Sequence, residues 1–193
     1  DLHSFPTRRS SDLSAAFQGA SFAVLSNALK RLGFAQVEET AIGATEVSRQ
    51  YEQLMQEGKM ENILSTCCPS IIALVEKHYP ELTQYLAPVA SPSTVHARMI
   101  HAIYGNRAKV VFIGPCFSKK SEARDPLAGG LVNNVLTFDE LDQWIGDEEI
   151  SMHGSDGEVT GMAHPVARLY PTPCGIIKTI EPERVHHYRT VSV

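Results

Sequence analysis

From Ala20 to Leu32 the apolar residues Phe22, Leu25, Ala28, Leu29 and Leu32 return at helical spacing, and Gly33 stands where a helix end takes a left-handed residue. This spacing predicts an amphipathic helix. Phe34 to Glu38 reads as a short strand, and Thr45 as the cap of a helix that runs to about Glu57 and stops at Gly58. Asn62 to Ser65 is the next predicted strand. Pro69 falls where a first helical turn tolerates proline, and Ile71, Ile72, Leu74, Val75 and Tyr79 give the following helix a face to bury until Pro80 ends it.

Ser93 or Thr94 then starts a helix through Met99, Ile100, Ile103 and Tyr104, with Gly105 as terminator. Lys109 to Ile113 is β-branched and almost wholly apolar, the pattern of a strand buried on both faces. A further strand at about Val132 to Leu136 leads into Thr137-Phe138-Asp139-Glu140, which has capping-box spacing, and a short helix to near Gly146. Strands alternating with helices predict an α/β fold: a mostly parallel sheet flanked by helices. Ser151 to Pro173 carries no period, and Tyr188 to Val193 reads as a strand at the chain end, the mark of a truncated C-terminus. There is no internal repeat and no glycine-rich phosphate loop.

Asp1 to Leu13 differs from the rest, with a run of Arg and Ser and neither helical nor strand pattern. The string SFPTRRSSDL resembles a translated sequencing adaptor, so residues 1–13 are set apart as a non-native tail and residues 14–193 as the domain. The alternative is a native disordered tail.

With 193 residues, 43% of them apolar, the chain has enough apolar sequence for one substantial core. A net charge of −5 in short mixed-sign stretches gives no footprint for nucleic acid or an anionic membrane. No run approaches the roughly 18 apolar residues of a membrane span. The expectation is a soluble, cytoplasmic protein that binds no nucleic acid and has no membrane span.

The cysteines carry the chemistry. Ser65-Thr66-Cys67-Cys68-Pro69 and Gly114-Pro115-Cys116-Phe117-Ser118-Lys119-Lys120-Ser121-Glu122 each follow a predicted strand, which would deliver both thiols to the edge of a parallel sheet where open α/β folds place ligands. Four cysteines, two of them adjacent, make a poor disulfide framework. An iron-sulfur cluster needs thiolates from several segments, and Cys68 and Cys116 suit that role. Adjacent cysteines do not easily share one metal ion, so Cys67 and Cys68 divide into a ligand and a thiol facing an open site. Lys119 and Glu122 fall on one helical face beyond Cys116, where a cation would offset anionic ligands; the bland reading is a solvated pair. Cys174 reads as a small buried hydrophobe more than a ligand. His153, His164 and the pair His186 and His187 show no zinc spacing, and His96 and His101 read as ordinary helix residues.

These motifs resemble the C-terminal catalytic domain of the iron-only, [FeFe] hydrogenase large subunit. TCCP is similar to the family's T-S-C-C-P, and PCFSKKSE to its P-C-x-x-K-x-x-E, with Tyr79-Pro80-Glu81-Leu82 and Ser91-Pro92 as matching flanks, so the likeness covers roughly Ser14 to Val193. The resemblance implies one lobe and part of a second of an H-cluster domain. It implies Cys68 and Cys116 as ligands of a [4Fe-4S] cubane joined to a diiron subsite, Cys67 as the proton-exchanging thiol, and Lys119 as the lysine that hydrogen-bonds a cyanide of that subsite. Glu46, Ser91 and Glu122 match polar positions along the proton route. The implied reaction interconverts H2 with protons and electrons, with a ferredoxin or ferredoxin-like domain as electron partner.

The sequence also departs from the pattern. Gly114 replaces a methionine and Gly43 a relay glutamate, changes that resemble the divergent branch assigned sensing roles. The third signature, C-x-G-G-C, is absent, so a fragment inactive by itself is expected. The alternative from the same family is a non-catalytic iron-sulfur sensor or cluster-assembly module. A cysteine-nucleophile enzyme ranks last, because no nucleophile elbow or matched histidine accompanies Cys67.

Overall fold

The protein is described from a computed structural model covering residues 2–6, 16–17, 20–152, 161–170, 172 and 174–180. Among these, strands β1 (Leu2–Pro6), β2 (Phe34–Val37), β3 (Lys109–Ile113) and β4 (Asn134–Leu136) form one parallel sheet in the order β2-β1-β3-β4. The α/β fold with a parallel sheet is as the sequence pattern predicts.

Strand β1 is the main correction. The segment read as a tail without strand pattern supplies the inner strand that joins β2 to β3, in register from Leu2 opposite Lys109 to Pro6 opposite Ile113. Ladder hydrogen bonds are made by the main chain, so a slot between two parallel strands accepts extended backbone whose side-chain pattern gives no signal.

The helices are α1 (Phe22–Arg31), α2 (Ala41–Glu57), α3 (Pro69–His78), α4 (Pro92–Tyr104), α5 (Lys119–Arg124), α6 (Phe138–Asp147) and the single turn α7 (Gly175–Lys178). Local chemistry explains their ends. Ser21 accepts from the Val24 N–H at 3.3 Å to open α1, Ser91 accepts from the Thr94 N–H at 3.4 Å to open α4, and Thr137 with Glu140 forms the predicted capping box of α6. Helix α2 begins four residues before its predicted cap; Thr45 lies inside it and donates its hydroxyl back to the Ala41 carbonyl at 3.2 Å. Gly58 ends α2 in the left-handed conformation, at φ 60°.

Strand β3 is buried on both faces, as its composition predicts. Val111 and Ile113 join Leu25 and Leu29 of α1 and Phe138, Leu141 and Ile145 of α6, while Val110 and Phe112 join Ala97 and Ile100 of α4. A third cluster surrounds α2, where Ala44, Val47 and Tyr51 pack with Ala87, Val89, Val95, Tyr170 and Ile180. Helices α2 and α4 cross closely at Gly43, where an added Cβ would fall 2.6 Å from the His96 Cβ. His96 itself is buried and pairs through Nε2 with Glu38 Oε2 at 2.9 Å, tying α4 to the end of β2. That gives one of the histidines read as ordinary a cross-element role.

Two further expectations are corrected. The segment 62–65 forms no strand in the sheet; Leu64 makes one isolated bridge to Leu86. The predicted buried face of α3 is mostly open: Val75 is buried, whereas Ile71, Leu74 and Tyr79 are 44%, 46% and 48% exposed. Periodicity predicts which residues share a face, and the surroundings decide whether that face is covered. The predicted strand at 188–193, with His153, His186 and His187, lies outside the described residues.

Candidate metal centre

Cys116 lies three residues beyond the end of β3, at the C-terminal edge of the sheet, where the sequence placed it. Its carbonyl accepts from the Lys119 N–H at 3.2 Å, a tight turn into α5. Cys68 arrives by another route, because no sheet strand precedes it. It is the extended residue before Pro69, at φ −112° and ψ 112°, and its carbonyl accepts from Ile71 and Ile72 to start α3. Proline at the first helical position stops the turn from extending back into the cysteine pair.

The two motifs meet through serines. Ser70 and Ser118, each two residues past a cysteine, share a hydrogen bond between hydroxyls, so the N-terminal ends of α3 and α5 abut. Cys67, Cys68 and Cys116 are all free thiols, half-buried and reachable. The N-terminus of the ten-residue helix α3 stands directly behind Cys68, a setting that favours an anionic ligand such as a cluster.

Cys67 faces a different environment. It packs against the apolar cluster around α2, and the Ser65 hydroxyl donates to its sulfur at 3.2 Å. Tyr51 of α2 reaches the same segment: its hydroxyl donates to Ser65 Oγ at 3.3 Å and accepts from the Thr66 N–H at 2.9 Å. Thr66 in turn donates to the Val89 carbonyl at 2.6 Å. The adjacent cysteines are thus distinguished by their surroundings.

Lys119, Glu122 and Ser91 belong to one network. Lys119 Nζ is ion-paired with Glu122 across one turn of α5, with side chains only 11% and 17% exposed. Thr94 donates to the other Glu122 oxygen at 3.4 Å, and Ser91 hydrogen-bonds both Ser93, at 2.9 Å, and Thr94, at 3.4 Å. Ser91 is buried, spending its hydroxyl at the start of α4. The shared face expected for Lys119 and Glu122 is present, and the pair is not the solvated one of the bland reading.

Glu46 is not brought to these residues. Its carboxylate binds Arg49 at 2.7 and 2.9 Å and Gln50 at 3.1 Å, all on its own helix, and the Arg49 hydrogen bonds hold its pKa below the usual 4.5. Tyr51, on the buried face with Ala44, Val47 and Ser48, is the α2 residue that reaches the cysteine motif. The periodicity of Ala44, Val47 and Tyr51 carried that signal; the chemistry of its hydroxyl did not stand out from a core aromatic. Cys174 occupies a left-handed conformation, φ 57°, before α7 and is half-buried. Ile176 and Ile177 of α7 pack in the same cluster as Cys67.

Two thiols of separate segments at abutting helix starts, with a cation one residue beyond Ser118, fit part of the ligand set of an iron-sulfur cluster. Among the described residues no group of three or more His, Cys, Asp or Glu side chains converges on one metal position. No helix among them is long and apolar enough to cross a membrane.

Comparison with known proteins gives the same direction. Residues 10–191 match the family described as iron only hydrogenase large subunit, C-terminal domain. Iron hydrogenase 1 of Clostridium pasteurianum is 31% identical over 140 residues, covering 64% of this chain and 24% of that protein. The cytosolic Fe-S cluster assembly factor NAR1 of Eremothecium gossypii is 30% identical over 116 residues, covering 60% of this chain and 25% of its own length. Among solved structures, the [FeFe]-hydrogenase HydA1 of Chlamydomonas reinhardtii superposes with a TM-score of 0.71 at 24% identity, over 82% of this chain and 45% of that one. That likeness is one of fold. The chain therefore spans about a quarter of those two curated relatives and just under half of this solved structure.

Proposed function

Because the chain belongs to the family of the C-terminal domain of iron only hydrogenases, we propose that it forms part of an iron-sulfur H-cluster pocket in a protein that interconverts H2 with protons and electrons. The observation that supports this most is the junction of the two cysteine motifs at Ser70 and Ser118, which places Cys68 and Cys116 at abutting helix starts. In this reading Cys68 and Cys116 are ligands of a [4Fe-4S] cubane. The cluster with its diiron subsite supplies the electron transfer and the H2 chemistry.

The chain's own residues bind, orient and carry protons. Cys67, whose sulfur accepts from the Ser65 hydroxyl, is the thiol that exchanges the proton. Lys119 has three donor hydrogens, so it can keep its bond to Glu122 and still offer a donor to an anionic ligand of the diiron subsite. Glu122, Thr94 and Ser91 fix the lysine and continue the polar path. Glu46 is retained as an outer proton position, reached from the surface. A ferredoxin or ferredoxin-like domain delivers electrons, and the cytoplasm is the compartment, in keeping with the cytosolic naming of the NAR1 relatives.

The test is reconstitution of the full-length parent with iron, sulfide and a diiron precursor, followed by an H2-oxidation assay and infrared spectroscopy. H2 oxidation with carbonyl and cyanide bands supports the reading, and the absence of both activity and bands would overturn it. A second reading, a non-catalytic sensor or cluster-assembly module, is favoured by the 30% identity to NAR1. It predicts cluster binding without H2 turnover and tolerance of Cys67→Ala.

A further inference from the structure

We propose that Tyr51 is a positioning residue for the Cys67 thiol and acts through Ser65: its hydroxyl occupies the serine oxygen, which keeps the serine's hydrogen on the sulfur and turns the thiol's own hydrogen away from Ser65. Tyr51 is 1% exposed and packs among Ala44, Val47, Ala87, Val89 and Val95. A phenylalanine would fill that cluster with no polar atom to satisfy, whereas a buried hydroxyl is tolerated only with partners. Its partners among the described residues all lie on the cysteine segment. The Tyr51 hydroxyl accepts from the Thr66 N–H at 2.9 Å, donates to Ser65 Oγ at 3.3 Å and lies 3.3 Å from Thr66 Oγ1.

The hydrogens and lone pairs fix the direction of this chain. The Thr66 hydroxyl reaches the Val89 carbonyl at 2.6 Å and the Ala87 carbonyl at 3.1 Å, and carbonyls only accept, so its hydrogen is spent there. Tyr51 is therefore the donor toward the segment. Ser65 Oγ has two lone pairs and one hydrogen. The Tyr51 hydroxyl takes one lone pair at 3.3 Å and the Cys67 N–H faces the other at 3.5 Å, which leaves the hydrogen for the Cys67 sulfur at 3.2 Å. The thiol's single hydrogen then finds no acceptor on Ser65. A hydroxyl that accepts a hydrogen bond also becomes a stronger donor, so Tyr51 strengthens the bond onto the sulfur as well as setting its direction. Without the Tyr51 hydroxyl a serine lone pair is freed, and the order can reverse, with Cys67 donating to Ser65.

The purpose of this arrangement rests on the reading of Cys67 as the proton-exchanging thiol, and its hydrogen-bond order does not. That order can be read in the full-length parent purified without iron, from the S–H stretching band of Cys67, identified as the band that Cys67→Ala removes. Tyr51→Phe keeps the ring and deletes the donor; it is expected to move the band to lower frequency, because the S–H group gains Ser65 as an acceptor. In a Ser65→Ala background the same substitution should leave the band in place. A purely structural role for Tyr51 would lower stability without this dependence on Ser65. A band that Tyr51→Phe leaves unmoved, or moves equally with and without Ser65, overturns the proposal. Should Tyr51→Phe fold poorly, biosynthetic replacement of tyrosine by 3-fluorotyrosine, a stronger phenolic donor that keeps both bonds, must shift the Cys67 band in the parent and not in Ser65→Ala. An unmoved band, or a shift that persists in Ser65→Ala, again overturns it. Failure of H2 turnover alone leaves this result standing, so the two readings fail separately.

Discussion

Ser70 and Ser118 share a hydrogen bond across 48 residues of sequence, and each lies two positions beyond a motif cysteine. Their pairing, more than a common sheet edge, is what joins the Cys68 and Cys116 segments. Ser70→Ala and Ser118→Ala are each expected to cost about 0.5–1.5 kcal/mol, near the lower end because Ser70 is exposed. The double variant should cost little more than either single one, since both remove the same bond. Urea denaturation of the four proteins measures the cycle, and full additivity would count against a direct link.

Gly43 is fixed by the closeness of α2 and α4. A Cβ there meets the Pro92 carbonyl oxygen and lies 2.6 Å from the His96 Cβ, both on a packed helix. Gly43→Ala should destabilise by about 1–3 kcal/mol, the usual cost of overpacking. The shift in denaturation midpoint checks it, and a stabilised variant would show that the helices separate freely.

Acid should weaken the start of α6. Glu140 bonds Lys120 and the Thr137 N–H, and these bonds hold its pKa below the ordinary 4.5. A carboxylate depressed in the folded state contributes stability that is complete above 4.5 and is lost as pH falls through the lower folded value. Glu140→Gln should therefore melt below the parent protein at pH 7, and the gap should narrow as pH drops under 4.5. Melting curves across that range decide it; a gap constant with pH would assign the effect to something other than charge.

The proposed division between adjacent cysteines predicts different effects on metal binding. After reconstitution with iron and sulfide, Cys68→Ala and Cys116→Ala should each reduce iron bound per chain at least several-fold, while Cys67→Ala should leave it nearly unchanged. Iron and sulfide analysis of the three variants reads this directly. Equal losses in all three would end the assignment of Cys67 to a separate role.

The sequence by itself determined the local features. The helix over α1, the Thr137–Glu140 capping box and the glycine ends of α1, α2 and α4 follow from contacts within about four residues along the chain, and strand β3 is marked by its unbroken β-branched, apolar run. The family motifs around Cys68 and Cys116 were legible for the same reason, since they are strings. What joins distant segments was not. Tyr51 looked like a core aromatic until the fold set its hydroxyl beside Ser65 and Thr66, and Tyr170 lies in a stretch with no period at all. Strand β1 is formed by main-chain pairing, to which its side-chain pattern gave no clue. Local hydrogen bonding and periodicity are encoded by neighbours in sequence, whereas the partner of a side chain far along the chain depends on how the backbone returns, and that only the tertiary structure decided.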